Sequence, residues 1–180
     1  RGDVWFGGKT KNPWDLNQGS SGSSAGSASA TAAGLVGFSI GTETLGSIIS
    51  PSTRCGVSGL RPTYGSVSTN GFMTLSWSMD KIGPIARTAK GCAIVFNEIQ
   101  KKEGLNKINK PFNKNVKNLK IAFLEGLFLN DTSRYAKNNT KTLAFIKKKT
   151  PVLYPTSLPK NFPFDVFDII LRAEAGAFFD

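Results

Sequence analysis

The chain contains no histidine. That excludes a self-contained Ser-His-Asp or Cys-His site, and it excludes a histidine-ligated zinc centre. Cysteine is scarce as well. Cys55 and Cys92 cannot build a disulfide framework or a four-cysteine metal site, and their spacing says nothing about compartment. No run of eighteen apolar residues occurs, so no transmembrane helix is expected. The first residues, Arg1-Gly2-Asp3-Val4-Trp5-Phe6, show no basic segment followed by an apolar one, so no signal peptide is visible. There is no initiator Met, and an apparent helix runs into the last residue. Both ends are therefore expected to be cut, and compartment stays open, with the cytoplasm slightly favoured.

The residues that are present suffice for a folded domain. Of 180 residues, 39% are apolar and 19% charged, which supports a real core and argues against a disordered tail. The net charge of +11 is unevenly spread. Residues 1–80 hold five basic and four acidic residues, whereas 81–180 hold eighteen and eight. Much of the excess lies in 101–120 and in Lys147-Lys148-Lys149. Lysine dominates over arginine and asparagine is interleaved, whereas a nucleic-acid surface more often mixes arginine and aromatics. We read the excess as solvated loop and helix faces, and no nucleic-acid partner is expected.

Residues 19–29, Gly-Ser-Ser-Gly-Ser-Ser-Ala-Gly-Ser-Ala-Ser, would pass for a flexible linker. The next residues argue for a packed helix instead. Ala28 to Leu35 is nearly all small residues, with Gly34 placed to stop it. A strand is expected over 35–40 and a glycine-bounded loop over 41–47. Short strands are expected over 56–63 and 81–87, and Thr88 is placed to cap a helix carrying Ala93, Val95, Phe96 and Ile99. The lysine-rich stretch 100–118 reads as a surface connection. A strand at 119–124 bounded by Gly126, a weak helix within 132–149, a strand at 152–154 and a helix from 167 to 179 complete the pattern. Strands alternating with helices indicate an α/β fold. Cys55 and Cys92 are expected to be buried, Trp5 and Trp14 to lie in the core, and Ser24, Ser27 and Ser29 to be packing or capping groups. Glu43 is expected to anchor its loop.

Four short patterns mimic chemistry. Gly22-Ser23-Ser24-Ala25-Gly26 fits the nucleophile elbow G-x-S-x-G, but no strand is recognisable before it and no histidine comes after it. Ser78-Met79-Asp80-Lys81 and Ser157-Leu158-Pro159-Lys160 fit S-x-x-K, which needs a helical turn. Pro159 breaks one, and Ile82-Gly83-Pro84 follows the other. Gly8-Lys9-Thr10 looks like the end of a phosphate-binding loop, but the required earlier glycine falls on Asp3.

Residues 12–64 are the informative stretch. Asn12-Pro13-Trp14-Asp15, Gly22 to Ala28, Gly41-Thr42-Glu43-Thr44-Leu45-Gly46-Ser47-Ile48, Cys55-Gly56-Val57 and Arg61-Pro62-Thr63-Tyr64-Gly65 together closely resemble the amidase signature family, which includes fatty acid amide hydrolase and the A subunit of glutamyl-tRNA amidotransferase. The resemblance continues through Ser78-Met79-Asp80-Lys81-Ile82-Gly83-Pro84 and fades after about residue 99. It implies a mixed sheet flanked by helices, with 1–180 as the central part of one amidase domain and a signature core at about 12–99. The logic also holds on physical grounds. A serine hydrolase without histidine needs a neutral lysine as base and a relay to the nucleophile, and a glycine-rich loop offers backbone N–H groups to an oxyanion.

By the same resemblance Ser47 is the nucleophile and Ser23 the relay serine, following a cis Gly22–Ser23 peptide. The backbone N–H groups of Thr44, Leu45, Gly46 and Ser47 form the oxyanion hole. The resemblance implies that the base is a lysine well upstream of Ser23, on a segment before Arg1, a place that Lys9 and Lys11 stand too close to Ser23 to fill, so residues 1–180 alone are expected to be inactive. The implied reaction is hydrolysis of a small-molecule amide through an acyl-serine, without metal or organic cofactor. The alternative is a catalytically inactive amidase-like or amidotransferase-like binding subunit. Substrate, leaving amine and oligomeric state stay open. Four positions depart from the family. Leu45 stands where glycine is usual, Ile49 where arginine is usual, and Ser21 and Ala25 where glycines are usual.

Overall fold

The computed structural model describes residues 2–100, 119–133, 135–150 and 152–179. All but the first residue of the expected surface connection at 100–118 lies outside the described residues. The chain divides into two compact units, Arg1–Ile108 with Asp165–Asp180, and Asn109–Phe164.

In the first unit, two small antiparallel hairpins come first, β1 (Val4–Trp5) with β2 (Gly8–Lys9) and β3 (Lys11–Asn12) with β4 (Asp15–Gly19). Helix α1 (Ala25–Ala32) comes next, ended near Gly34 at φ +75°, where only glycine is unstrained. The central sheet has the order β5-β7-β6, from Phe38–Glu43, Lys81–Ala86 and Ser58–Gly59, all antiparallel. Between β5 and β6 lies α2 (Ile49–Cys55), and after β7 comes α3 (Ala89–Ile99), where Thr88 Oγ1 accepts the Gly91 amide at 3.0 Å. Helix α6 (Asp165–Phe179) closes this unit.

Pro84 sits in the middle strand and donates no hydrogen bond to either neighbour. Its carbonyl accepts from Leu60 N at 3.0 Å, so its ring nitrogen also faces the β6 side, where that strand has already ended at Gly59. The missing donor therefore falls just past the end of β6 and removes no bond from the β5–β7 or β6–β7 pairs.

Ala28, Ile48, Cys55 and Ile85 form the fully buried core, with Ala32 and Val57 against it. The small residues of α1 serve close packing, and its hydroxyls tie it down. Ser24 Oγ accepts from Thr42 N and donates to Thr42 O, Ser27 Oγ donates to Ile40 O, and Ser29 Oγ donates to Lys11 O. Both cysteines are buried. Burial pushes the Cys55 thiol pKa up against Arg54, and the Cys92 pKa up against hydrogen bonds with the Ala86 and Leu60 backbone.

The second unit is a β-α-β crossover. Strands β8 (Lys120–Leu124) and β9 (Val152–Thr156) pair in parallel, joined through α4 (Glu125–Leu129) and α5 (Ala136–Lys149). Thr150 Oγ1 donates to Leu119 O at 2.7 Å, which fixes the return of the chain beside β8.

Five expectations change. Strand β5 runs over Phe38–Glu43 rather than 35–40 and takes in the first three residues of the loop expected over 41–47, and of the strand expected over 56–63 only Ser58–Gly59 pairs. Trp5 and Trp14 are 53% and 75% exposed. Each sits on a two-stranded hairpin that offers no second layer to bury a ring. Trp14 is instead held by its indole N–H on Cys55 O at 2.8 Å, and Trp5 by an edge contact with Phe6. A strand, β4, does precede Gly22, and a helix comes after it. Its residues, Asp15-Leu16-Asn17-Gln18-Gly19, carry no apolar alternation, which hid it. Gly126 does not bound β8 from outside but lies within α4.

Candidate active site

The expected site residues come from two loops. Ser23 lies between β4 and α1, and Ser47 lies between β5 and α2. The Ser24 amide donates to the Ser47 carbonyl at 3.1 Å, which fastens one loop to the other. The Gly22–Ser23 peptide is cis. Gly22 has no room for a side chain, since a Cβ there would lie 1.9 Å from the Gly2 carbonyl oxygen. Ser21, where the resemblance expects glycine, has φ +62°, the left-handed region that favours glycine. Its hydroxyl meets that of Ser50 at 2.8 Å, which links the same two loops again.

Ser23 is exposed and Ser47 half-buried. Ser23 also borders a cavity of about 550 Å³ formed with Asp3, Trp5, Lys9 and Thr10, which the loop of Ser47 does not line. Lys9 points its ammonium toward Asp3, 4.0 Å away.

The backbone around Ser47 is fixed from both sides. Glu43 Oε2 accepts the amides of Ile48 and Ile49 at 2.8 and 2.9 Å, satisfying the orphan donors at the start of α2. This is the anchoring role expected for Glu43, and Arg61 stands 3.9 Å from its other oxygen. Gly46 has φ +104°, which requires glycine, while Leu45 stays out of that region. A leucine is therefore unstrained where the resemblance expects glycine. Its side chain is 52% exposed, and that of Ile49 43%.

Ile48 secures the loop to the sheet. A Cβ on Gly41, Gly59 or Gly83, one from each strand, would come within 2.9–3.2 Å of its side-chain carbons. The side chain is thus seated on three glycines and is fully buried.

Sequence reasoning assigns no role to Asp80 and Lys81, which enter it only through an S-x-x-K decoy and the Ser78 to Pro84 stretch of the family resemblance. Asp80 Oδ1 accepts the Thr44 hydroxyl at 2.6 Å, and Oδ2 accepts the amides of Leu75 and Ser76. Lys81 Nζ donates to the Thr44 carbonyl at 3.1 Å. Burial first, then Arg61, pulls the Lys81 pKa down, opposed by Glu43 and Asp80. Behind them, Glu174 of α6 accepts the Ser76 hydroxyl and the Ser78 amide on one oxygen.

Two serine loops are thus fastened together, one carrying a cis peptide and the other a glycine turn before a helix. The chain belongs to the Amidase family, whose profile matches residues 3–176. It is 35% identical over 182 residues to the A subunit of the glutamyl-tRNA(Gln) amidotransferase of Sulfurihydrogenibium sp., covering 93% of this chain and 37% of that one. With the same subunit from Chromohalobacter salexigens the identity is 52% over 94 residues, covering 52% of this chain and 19% of that one. Among solved structures, the A subunit of the Thermotoga maritima glutamyl-tRNA(Gln) amidotransferase superposes with a TM-score of 0.84 at 30% identity, covering 93% of this chain and 39% of that one. The peptide amidase of Stenotrophomonas maltophilia gives 0.76 at 29%, covering 96% and 39%. The chain thus spans well under half the length of these relatives. Among the described residues, no helix is long and apolar enough to cross a membrane.

Proposed function

We propose that this chain carries the nucleophile, relay and oxyanion loop of an amide hydrolase. Ser47 is the nucleophile, Ser23 the relay, and the amides of Thr44, Leu45, Gly46 and Ser47 receive the oxyanion. The observation that carries this reading is the direct fastening of the two serine loops, Ser24 N to Ser47 O, beside the cis Gly22–Ser23 peptide. The names of the relatives, an amidotransferase A subunit and a peptide amidase, support chemistry at a C–N bond.

The reaction begins with proton transfer. A neutral lysine outside residues 1–180 takes the Ser23 proton, Ser23 takes the Ser47 proton, and Ser47 Oγ attacks the amide carbonyl. The carbonyl oxygen becomes an oxyanion facing the loop amides. Collapse breaks the C–N bond, and the proton returns along the same path to the leaving amine. Water then repeats the attack on the acyl-serine and releases the acid. The substrate is a small-molecule amide, no nucleic acid is a partner, and residues 1–180 form the central part of a single amidase domain.

A second reading is a catalytically inactive amidase-like or amidotransferase-like binding subunit, which the cavity beside Ser23 favours because the Ser47 loop does not line it. A fluorophosphonate probe on the full-length protein separates the two. Labelling of Ser47, lost in Ser47→Ala together with turnover, supports the enzyme. Labelling of Ser24 or Ser78 refutes the assignment, and absence of any labelling favours the non-catalytic reading.

A further inference from the structure

We propose that Asp80 and Lys81 are positioning residues that jointly aim and polarise the Leu45 amide of the oxyanion loop. This inference rests on the reading of Thr44–Ser47 as that loop. The two residues are consecutive and meet Thr44 from one end of β7. Lys81 pairs with Glu43 across the β5–β7 ladder, so its side chain starts one residue from Thr44.

Thr44 is held at two independent points. Its hydroxyl is bound by Asp80, a carboxylate only 3% exposed whose second oxygen is occupied by the Leu75 and Ser76 amides. Asp80 therefore cannot swing without breaking three hydrogen bonds. The Thr44 carbonyl is bound separately by the Lys81 ammonium. A trans peptide is planar, and its C=O and N–H point in opposite directions. The Thr44–Leu45 peptide is trans. Holding the Thr44 carbonyl toward Lys81 therefore turns the Leu45 N–H to the other side of the loop.

A cation on the carbonyl end also strengthens the donor at the amide end. Charge-assisted hydrogen bonds are stronger than neutral ones, and bonded groups in series polarise one another. As the substrate carbonyl gains negative charge, the Leu45 N–H becomes a better donor to it than an unassisted peptide would be. The backbone of β7 pairs with β5 along all six residues, so the Lys81 side chain takes no part in the ladder. The Lys81 tail is thus available for the loop.

The test uses full-length protein, with fluorophosphonate labelling of Ser47 and turnover of an uncharged chromogenic anilide as readouts. Lys81→Met is expected to lower kcat and labelling rate about tenfold with KM within about twofold. This is less than the loss of a direct oxyanion donor, because a group acting through one is being removed. Lys81→Arg, which restores a cationic donor, is expected to recover most of the rate. Thr44→Val, which deletes the partner of Asp80, should move kcat the same way. Melting temperatures of the lysine variants should stay within a few degrees of wild type. Unchanged kcat and labelling in Lys81→Met, with Ser47 labelled in wild type, would overturn the proposal while leaving the function intact. So would a rate loss that Lys81→Arg does not recover. Absence of Ser47 labelling in wild type overturns the functional reading and this inference with it.

Discussion

The Ser24 amide donates to the Ser47 carbonyl at 3.1 Å. This bond uses only backbone atoms, so the two serine loops stay fastened whatever side chain stands at position 23. Ser23 itself is exposed and contributes no core volume. We expect Ser23→Ala to lower turnover steeply, because it breaks the proton path, while leaving the melting temperature close to wild type. A rate within twofold of wild type in the full-length protein would remove Ser23 from the mechanism.

Ile48 converts sheet rigidity into loop position. It comes directly after Ser47 and sits on Gly41, Gly59 and Gly83. Ile48→Ala should cost about 2–5 kcal/mol, since a closely packed site relaxes little around the void. Ile48→Val should cost about 0.5–1.5 kcal/mol by the same reasoning. Urea denaturation of both variants measures this. The converse change, Gly83→Ala, places a Cβ 2.0 Å from the Leu60 carbonyl oxygen, a backbone atom that cannot move aside without disturbing β6. It should destabilise more than Gly26→Ala, where the added Cβ meets nothing.

The sheet strands, α1, α3 and the α6 region were legible because apolar runs, small-residue stretches and caps such as Thr88 act locally. Both serine loops were legible only through the family resemblance of Gly22 to Ala28 and Gly41 to Ile48, since by composition the first of them passes for a linker. The two N-terminal hairpins were not, since strands of two residues and the polar β4 have no periodicity. Helix α2 was missed for another reason. Its first amides are capped by Glu43, which lies six residues before the helix begins and ahead of the glycine turn, not at the usual capping position. Asp80 and Lys81 escaped because their partner, Thr44, is some 36 residues away and joins them only through sheet register. The seat of Ile48 needs three strands at once, which no single stretch of sequence displays.

Glu174 gives the fold a dependence on acid. Burial alone would raise its pKa, but hydrogen bonds from Ser76 and Ser78 outweigh this and hold it below the ordinary 4.5. The folded state therefore takes up this proton less readily than the unfolded chain. The resulting stabilisation is present above pH 4.5 and is lost as pH falls through the depressed folded value. Melting temperatures of wild type and Glu174→Gln should differ most at neutral pH and converge in acid. A gap that stays constant down to low pH would show that the carboxylate charge contributes nothing.

The last prediction concerns the acyl group. Leu45 and Ile49 lie two residues before and two after Ser47, and both present exposed apolar side chains. By resemblance the family usually has glycine and arginine at these positions, so this chain replaces a small residue and a cation with hydrocarbon. Glu43 does not compensate as an anion-binding partner, since it is itself negative and its Oε2 is occupied by the Ile48 and Ile49 amides. A substrate carboxylate near the scissile bond would lose water there without gaining a counter-ion beside Ile49, whereas an uncharged chain gains apolar contact. We expect the full-length enzyme to prefer an uncharged acyl group in a matched pair of amides differing only by a carboxylate. Ile49→Arg should narrow or reverse that preference, and Leu45→Gly should raise the rate on bulky amides if the leucine lines the pocket. Equal or better kcat/KM for the charged amide in wild type would refute the assignment, because no apolar surround of Ser47 could then be selecting the substrate.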